Sequence, residues 1–191
     1  YQRLNFQKKQ KAIFLDRDGV INEEVDELIN IDDLRIYPSS FSAIKKINQS
    51  GFLTVVVTNQ PMIAKGKLTE NGLDEIHRKI ETLLGEKEAK IDAIYFCPHH
   101  PERGWPGEIK KLKIRCNCRK PNIGLIERAV RNLNIDSNQS YFIGDSDTDY
   151  QTAKNAKIKF IGVETGYGKL RADVLAKKNL AKAVDYILNI E

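Results

Sequence analysis

The sequence predicts an α/β fold: a doubly wound parallel sheet, with no cap domain and with one zinc-stabilised loop inserted. Three observations carry this expectation. Five short apolar runs rich in β-branched residues alternate with segments of helical periodicity, the pattern of strands joined by helical crossovers in a sheet covered on both faces. The length of 191 residues, with 41% hydrophobic and 30% charged residues, suits one soluble domain with a sizeable core. The stretch 98–115 breaks the alternation with Pro98, Pro101, Gly104, Pro106 and Gly107, and a loop that long in a compact domain is held by something or serves a function.

The strands are expected at Ala12–Asp16, Phe52–Thr58, Ile91–Phe96, Ser140–Gly144 and Lys159–Val163. Between them, Ser39–Gln49 places Phe41, Ile44 and Ile47 at helical spacing and stops at Gly51. Thr69 stands where an N-cap belongs, ahead of a helix with Leu73, Ile76, Ile80, Leu83 and Leu84 down one face that ends near Gly85. Asn122–Leu133 and Thr148–Ala156 read as two more helices, the last with Asp147 as its cap. Residues 11–191 thus form one domain, and residues 1–10 a tail or linker. A start at Tyr1 rather than Met reads as a processed start or as a segment of a longer polypeptide.

The net charge of +5 and a pI near 9.0 suit a small polyanionic substrate or a nucleic acid. The chain carries no helix-turn-helix or RNA-recognition pattern, which disfavours nucleic acid. No apolar run approaches the roughly 20 residues of a membrane span, and the first eleven residues are polar and basic with no signal-peptide core, so a cytoplasmic protein is expected. With no heptad pattern or apolar stripe, a monomer is expected.

The run Lys11-Ala12-Ile13-Phe14-Leu15-Asp16-Arg17-Asp18-Gly19-Val20 carries the first chemical signal. Its aspartates stand at the carboxyl end of an expected buried strand, where open α/β sheets place ligands. One carboxylate can attack phosphorus while the other shuttles a proton, and together they can hold a hard cation; an acidic turn is the plainer alternative. Thr58-Asn59-Gln60 ends another strand with a hydroxyl and an amide able to hydrogen-bond a phosphoryl oxygen. Gly144-Asp145-Ser146-Asp147-Thr148-Asp149 ends a third, and reads either as completing an oxygen-rich Mg²⁺ site with Asp16 and Asp18 or as an acidic helix start.

All three cysteines lie in the irregular stretch and its flanks. Cys97-Pro98-His99-His100 and Cys116-Asn117-Cys118 supply three thiolates and an imidazole, the donor set of a closed tetrahedral zinc site. His99 and His100 both remain candidates for the fourth position. Such a site is structural and orders a loop that has no core of its own. Arg119-Lys120 follows directly, so zinc would also fix the backbone that presents a phosphate-binding cation. Lys110, Lys111, Lys113 and Arg115 read as a solvated face, and His77 as a surface or packing residue on its helix.

Taken in order, Asp16-x-Asp18, Thr58, Lys120 and Gly144-Asp145 resemble the four motifs of the haloacid dehalogenase superfamily of phosphotransferases. Phe14-Leu15-Asp16-Arg17-Asp18-Gly19-Val20-Ile21-Asn22, Cys97-Pro98-His99-His100-Pro101 and Cys116-Asn117-Cys118-Arg119-Lys120-Pro121 further resemble its D-glycero-D-manno-heptose 1,7-bisphosphate 7-phosphatase and histidinol-phosphatase group, over residues 11 to 168. The resemblance implies Asp16 as nucleophile and Asp18 as general acid and base. It implies Mg²⁺ on the Asp16 carboxylate, the Asp18 carbonyl and Asp145, and Thr58 and Lys120 on the phosphoryl oxygens. Asn59 and Arg119 would contact substrate. Glu24–Glu27 aligns with the group's substrate loop without closely matching it. Pro61-Met62 replaces the group's Ser-Gly, and Ser146 its lysine. Pro61, the longer zinc loop and the non-Met start resemble the phosphatase half of proteins fused to an upstream nucleotidyltransferase. The chain between Asp16 and Thr58 is too short for a cap domain, so an open site is expected. A basic rim would suit a bisphosphate, and an acidic one the amine of histidinol phosphate.

Overall fold

Lys11–Leu15 forms β1, the strand around which the sheet is built. The computed structural model describes residues 8–191, so the expected tail lies outside the described residues up to residue 7. Within them Gln10 already pairs with Ile135: its N–H donates to the Asn134 carbonyl at 2.9 Å, and its carbonyl accepts from the Asp136 N–H at 2.8 Å.

The remaining strands are β2 (Phe52–Asn59), β3 (Ala93–Cys97), β4 (Tyr141–Gly144), β5 (Lys159–Val163) and the short β6 (Ala176–Lys177). All neighbours run parallel, in the order β3-β2-β1-β4-β5-β6. The order reverses between β1 and β4, and at such a switch point the crossovers leave in opposite directions and open a crevice beyond the carboxyl ends.

The helices are α1 (Pro38–Gln49), the one-turn α2 (Pro61–Ala64), α3 (Glu70–Gly85), α4 (Gly124–Leu133), α5 (Asp147–Asn155) and α6 (Leu180–Ile190). β1 alternates between the two faces of the sheet. Ile13 and Leu15 pack with Ile44 and Ile47 of α1, Ile76 and Ile80 of α3 and Val184 and Ile187 of α6. Ala12 and Phe14 face the other way, onto Leu125, Ile126 and Ala129 of α4 and Ala153 of α5. The site therefore hangs from a strand with no freedom to shift.

Several boundaries differ from the sequence expectation for local reasons. Thr69 caps α3 as expected, accepting from the Gly72 N–H. The cap of α5 is Ser146, not Asp147: Ser146 has extended backbone, its hydroxyl accepts from the Asp149 N–H, and the Asp149 carboxylate accepts from the Ser146 N–H, a reciprocal capping box. α4 starts two residues late because Asn122 is spent on a turn, donating to the Arg119 carbonyl at 2.9 Å and the Cys116 carbonyl at 2.7 Å. α2, β6 and α6 were not expected. Leu180, Ala183, Val184 and Ile187 are the helical stripe that marks α6, behind an Asn179 cap. No helix among the described residues is long and apolar enough to cross a membrane.

Phe14 is fully buried and stacks on Phe142 with 6.5 Å between ring centroids. Phe14→Ala is expected to cost about 3–5 kcal/mol of unfolding free energy, measurable by urea denaturation.

Candidate active site

Four chain segments meet at the switch point. Asp16 and Asp18 follow β1, Thr58 and Gln60 stand at the end of β2, Asp145 follows β4, and Lys120 comes in from the turn before α4. They line a cleft of about 270 Å³ together with Glu24, Asp26, Met62, Ser146 and Asp149. Lys120 is 4% exposed, and its Nζ lies 2.8 Å from Asp16 Oδ2 and 2.7 Å from Asp149 Oδ1. Burial works against its charge, but Asp149 and Asp16 outweigh it and hold the lysine pKa above its ordinary value. Asp149, which the sequence offered only as one of three acidic residues, is fully buried and is the lysine's second anchor.

Asp16, Asp145 and Asp149 bring carboxylate oxygens within 4.8 Å of one another. Burial pushes Asp145 up to about 6, with Asp149 adding to the push. Burial likewise raises Asp16, against the pull of Lys120. Three carboxylates facing one ammonium form a donor set short of positive charge, which fits a hard divalent cation with oxygen ligands. Gly19 makes the close approach possible. Its φ is +78°, and a Cβ there would stand 2.7 Å from Asp145 Oδ2.

Asp18 is held differently. Its Oδ1 accepts from Arg17 Nε (3.1 Å), Arg17 Nη2 (2.9 Å) and Asn22 Nδ2 (2.9 Å), and its Oδ2 from Arg17 Nη2 (2.8 Å) and Gln60 Nε2 (3.0 Å). Burial opposes the charge, but Arg17 and these amides hold the carboxyl below the usual range. Arg17 is itself 2% exposed, and its Nη1 reaches His77 Nε2 of α3 at 3.3 Å. Arg17, Asn22 and Gln60 stand within the quoted motifs without a role of their own in the sequence reading, and His77 reads there as a surface or packing residue. Nothing in their spacing links a histidine on a helix to a loop residue sixty positions earlier.

The Cys/His group assembles beside this cleft. Cys97, at the end of β3, Cys116, Cys118 and His99 bring their ligand atoms within 4.8 Å of one another, with the three sulfurs 3.2 to 3.6 Å apart and His99 Nδ1 at 3.6 Å from Cys97 and 3.3 Å from Cys118. A tetrahedral zinc with thiolates at about 2.3 Å and imidazole at about 2.0–2.1 Å has edges of roughly 3.5–3.8 Å, so the donor set and its spacing fit that ion. His99 is the imidazole brought in. His100 instead packs edge-on against Trp105 with 5.0 Å between centroids. The loop docks on the segment after β2: the Ile109 N–H donates to the Ala64 carbonyl at 2.9 Å, and a Cβ on Gly66 (φ +75°) would stand 2.0 Å from the Gly107 carbonyl oxygen.

Other residues singled out by the sequence make contacts within the protein that it did not show. Asn59 lines the cleft, but its amide is committed to the Lys120 backbone, accepting from its N–H at 3.0 Å and donating to its carbonyl at 3.2 Å. Arg119 does not line the cleft; its Nη1 donates to the His99 carbonyl at 3.2 Å. Lys113 is not on a solvated face. It is 3% exposed, with Nζ 4.0 Å from the Trp105 ring centroid and 3.8 Å from Glu108, a cation–π contact that packs the loop on itself. His77 is a buried residue in contact with the site, not a surface one.

Residues 117–189 match a family model described as HAD-hydrolase-like. A Haemophilus ducreyi protein named D-glycero-beta-D-manno-heptose-1,7-bisphosphate 7-phosphatase is 36% identical over 185 residues, covering 93% of this chain and 98% of the relative. The protein of the same name from Escherichia coli is 37% identical over 151 residues, 79% of this chain and 77% of the relative. The crystal structure of D,D-heptose 1,7-bisphosphate phosphatase from B. bronchiseptica, complexed with magnesium and phosphate, superposes with a TM-score of 0.82 at 31% identity, covering 95% of this chain and 99% of that one.

Burial, reinforced by the Arg17 guanidinium, pushes the His77 pKa down to about 3, whereas an unfolded chain returns it to about 6.5. The folded protein keeps His77 neutral while the unfolded chain takes up a proton, so stability present above about pH 6.5 is lost as pH falls toward 3. Between pH 7 and pH 5 the wild type should lose about 2 kcal/mol more than His77→Leu, as read from urea unfolding at each pH.

Proposed function

The chain belongs to the haloacid dehalogenase-like phosphatases, in the family of the heptose-1,7-bisphosphate 7-phosphatases, and from that membership we propose that it removes the 7-phosphate of D-glycero-D-manno-heptose 1,7-bisphosphate in the supply of nucleotide-activated heptose for surface glycans. It is a phosphatase. One observation carries the residue assignment: Asp16, Asp18, Lys120 and Asp145 converge in a single cleft at the switch point of the sheet.

In this reading the Asp16 carboxylate attacks the 7-phosphorus, the bond from phosphorus to the sugar oxygen breaks, and an aspartyl-phosphate forms. Asp18, ionised in the Arg17 fork as the site stands, takes up a proton as the phosphate enters and gives it to the departing oxygen. It then takes a proton from the water that cleaves the aspartyl-phosphate and releases inorganic phosphate. Lys120 and the Thr58 hydroxyl hold the transferring oxygens, whose charge is greatest in the loose transition state. Asn59 also fixes the Lys120 backbone, and Arg119, one of whose amines holds the His99 carbonyl, is the further substrate contact in this reading. Asp16, the Asp18 carbonyl and Asp145 are the residues that would hold Mg²⁺, which when bound offsets the charge of phosphate and carboxylates together. Cys97, His99, Cys116 and Cys118 would hold a structural Zn²⁺. Three reduced cysteines gathered for a metal suit the cytoplasm, where we place the reaction.

A second reading, histidinol-phosphate phosphatase, draws on the rim. Glu24 and Asp26 line the cleft, while its lining cations, Arg17 and Lys120, are both already paired with carboxylates. A substrate amine would meet the carboxylates of Glu24, which accepts from the Tyr167 N–H, and Asp26, whereas a second phosphate would find both lining cations already paired. Phosphate release with Mg²⁺ from each substrate separates the two. Heptose bisphosphate should have the higher kcat/KM, with Asp16→Asn reducing both to background; a preference for histidinol phosphate would establish the second reading.

Removing zinc with a chelator, followed by restoring Mg²⁺, should expose residues 98–115 to protease and lower turnover, because the loop fixes both Lys120 and the Pro61–Gly66 segment. Unchanged proteolysis and turnover would show that the four side chains hold no structural ion.

A further inference from the structure

Arg17 is a buried cation whose guanidinium serves three partners. Nε and Nη2 embrace both oxygens of Asp18, Nη2 also reaches Gln60 Oε1 at 3.1 Å, and Nη1 is directed to His77 Nε2. A guanidinium has no acceptor, so His77 Nε2 accepts and the ring is the neutral tautomer with its proton on Nδ1. His77 is 6% exposed and sits on α3, with four leucine and isoleucine side chains of that helix, Leu73, Ile76, Ile80 and Leu84, anchored in the core. The imidazole is therefore a rigid post. It is the acceptor of Nη1 and, with Gln60 Oε1 on Nη2, holds the rotation of the Arg17 fork, which together with Asn22 and Gln60 holds the Asp18 carboxyl. An interior N–H left without an acceptor carries its full desolvation cost, so removing the imidazole leaves the guanidinium to find another orientation.

We propose that His77 is a positioning residue for phosphoryl transfer, acting through Arg17 to aim the Asp18 carboxyl at the departing oxygen. This rests on the reading of Asp18 as the proton donor. No proton passes through His77 or Arg17 in the reaction; the bond changes are those already given, with Asp18 as the group that delivers the proton.

The dependence on leaving group tests this. A sugar alkoxide cannot depart unprotonated, whereas nitrophenolate can, so losing a well-placed acid penalises the first and spares the second. The ratio kcat/KM reports only steps up to departure of the leaving group and excludes the later hydrolysis. Asp18→Asn is expected to lower kcat/KM on heptose 1,7-bisphosphate by about 10²-fold or more and on p-nitrophenyl phosphate far less. His77→Leu should follow the same pattern with about a tenfold loss on the sugar phosphate, and His77→Gln, which restores an acceptor of similar reach, should recover most of it. Adding His77→Leu to Asp18→Asn should cost little more, because two residues acting as one unit are not additive. Should His77→Leu fail to fold, His77→Asn, polar but a methylene shorter than Gln, carries the same comparison. Equal losses on both substrates for the His77 variants, or full additivity with Asp18→Asn, would leave His77 a packing residue and overturn the proposal alone. Equal losses on both substrates for Asp18→Asn itself would overturn the donor assignment and the proposal with it.

Discussion

The ammonium of Lys120 is the point on which this site depends. It is buried between the carboxylates of Asp16 and Asp149, and so ties together β1, the first turn of α5 and the segment that leaves the cysteine cluster. A buried lysine is tolerable only when its charge is answered, and a buried carboxylate likewise. Each of the three groups therefore requires the other two. The triad is also unequal, two negative charges to one positive, and Asp145 beside it adds a third carboxylate. The fold thus builds a pocket short of positive charge at the one place where a polyanionic phosphoryl group must also be received, which a divalent cation reconciles.

Delivering Lys120 to that point is the task of the cysteine cluster. Residues 98–115 bring Ile109 and Leu112 against the core, and the rest of their order comes from Cys97, His99, Cys116 and Cys118, from Lys113 packed on Trp105, and from docking on Ala64 and Gly66. Arg119 closes the connection by holding the His99 carbonyl, and Asn59 holds the Lys120 backbone at both N–H and carbonyl. The second and third motif regions, far apart in sequence, are therefore one mechanical unit. Pro61 begins the short helix α2, which supplies the platform on which the loop rests.

The two motif aspartates that follow β1 have opposite surroundings. Asp16 faces a lysine it shares with another carboxylate, and burial drives its pKa up. Asp18 has an arginine fork to itself together with two side-chain amides, and its pKa is held down. As the site stands these surroundings favour the proton on Asp16 and the charge on Asp18, and the proposed duties require the reverse: a cation would lower Asp16 and an incoming phosphate would raise Asp18. The network behind Asp18 runs through Arg17 to His77 of α3, so the helix layer on one face of the sheet is in contact with the site at its edge.

Much of this was legible in the sequence because it depends on local pattern. The five longer strands, four of the helices, Thr69 as a cap, the cysteine arms and the motif residues Asp16, Asp18, Thr58, Lys120 and Asp145 are set by periodicity, punctuation and short spacings. What was missed depends on contacts between distant segments. Asp149 looked like one acidic residue among three until α5 turned it onto Lys120. Lys113 looked solvated until Trp105 covered it, and nothing in the sequence showed the hold of Arg119 on the His99 carbonyl. His77 looked like a packing residue until α3 brought it to Arg17. Side-chain type and spacing determine which chemistry a chain can perform. Burial and partnership determine which carboxyl is charged, which cation is spoken for and which histidine is only an acceptor, and these exist only once the sheet has closed over its switch point.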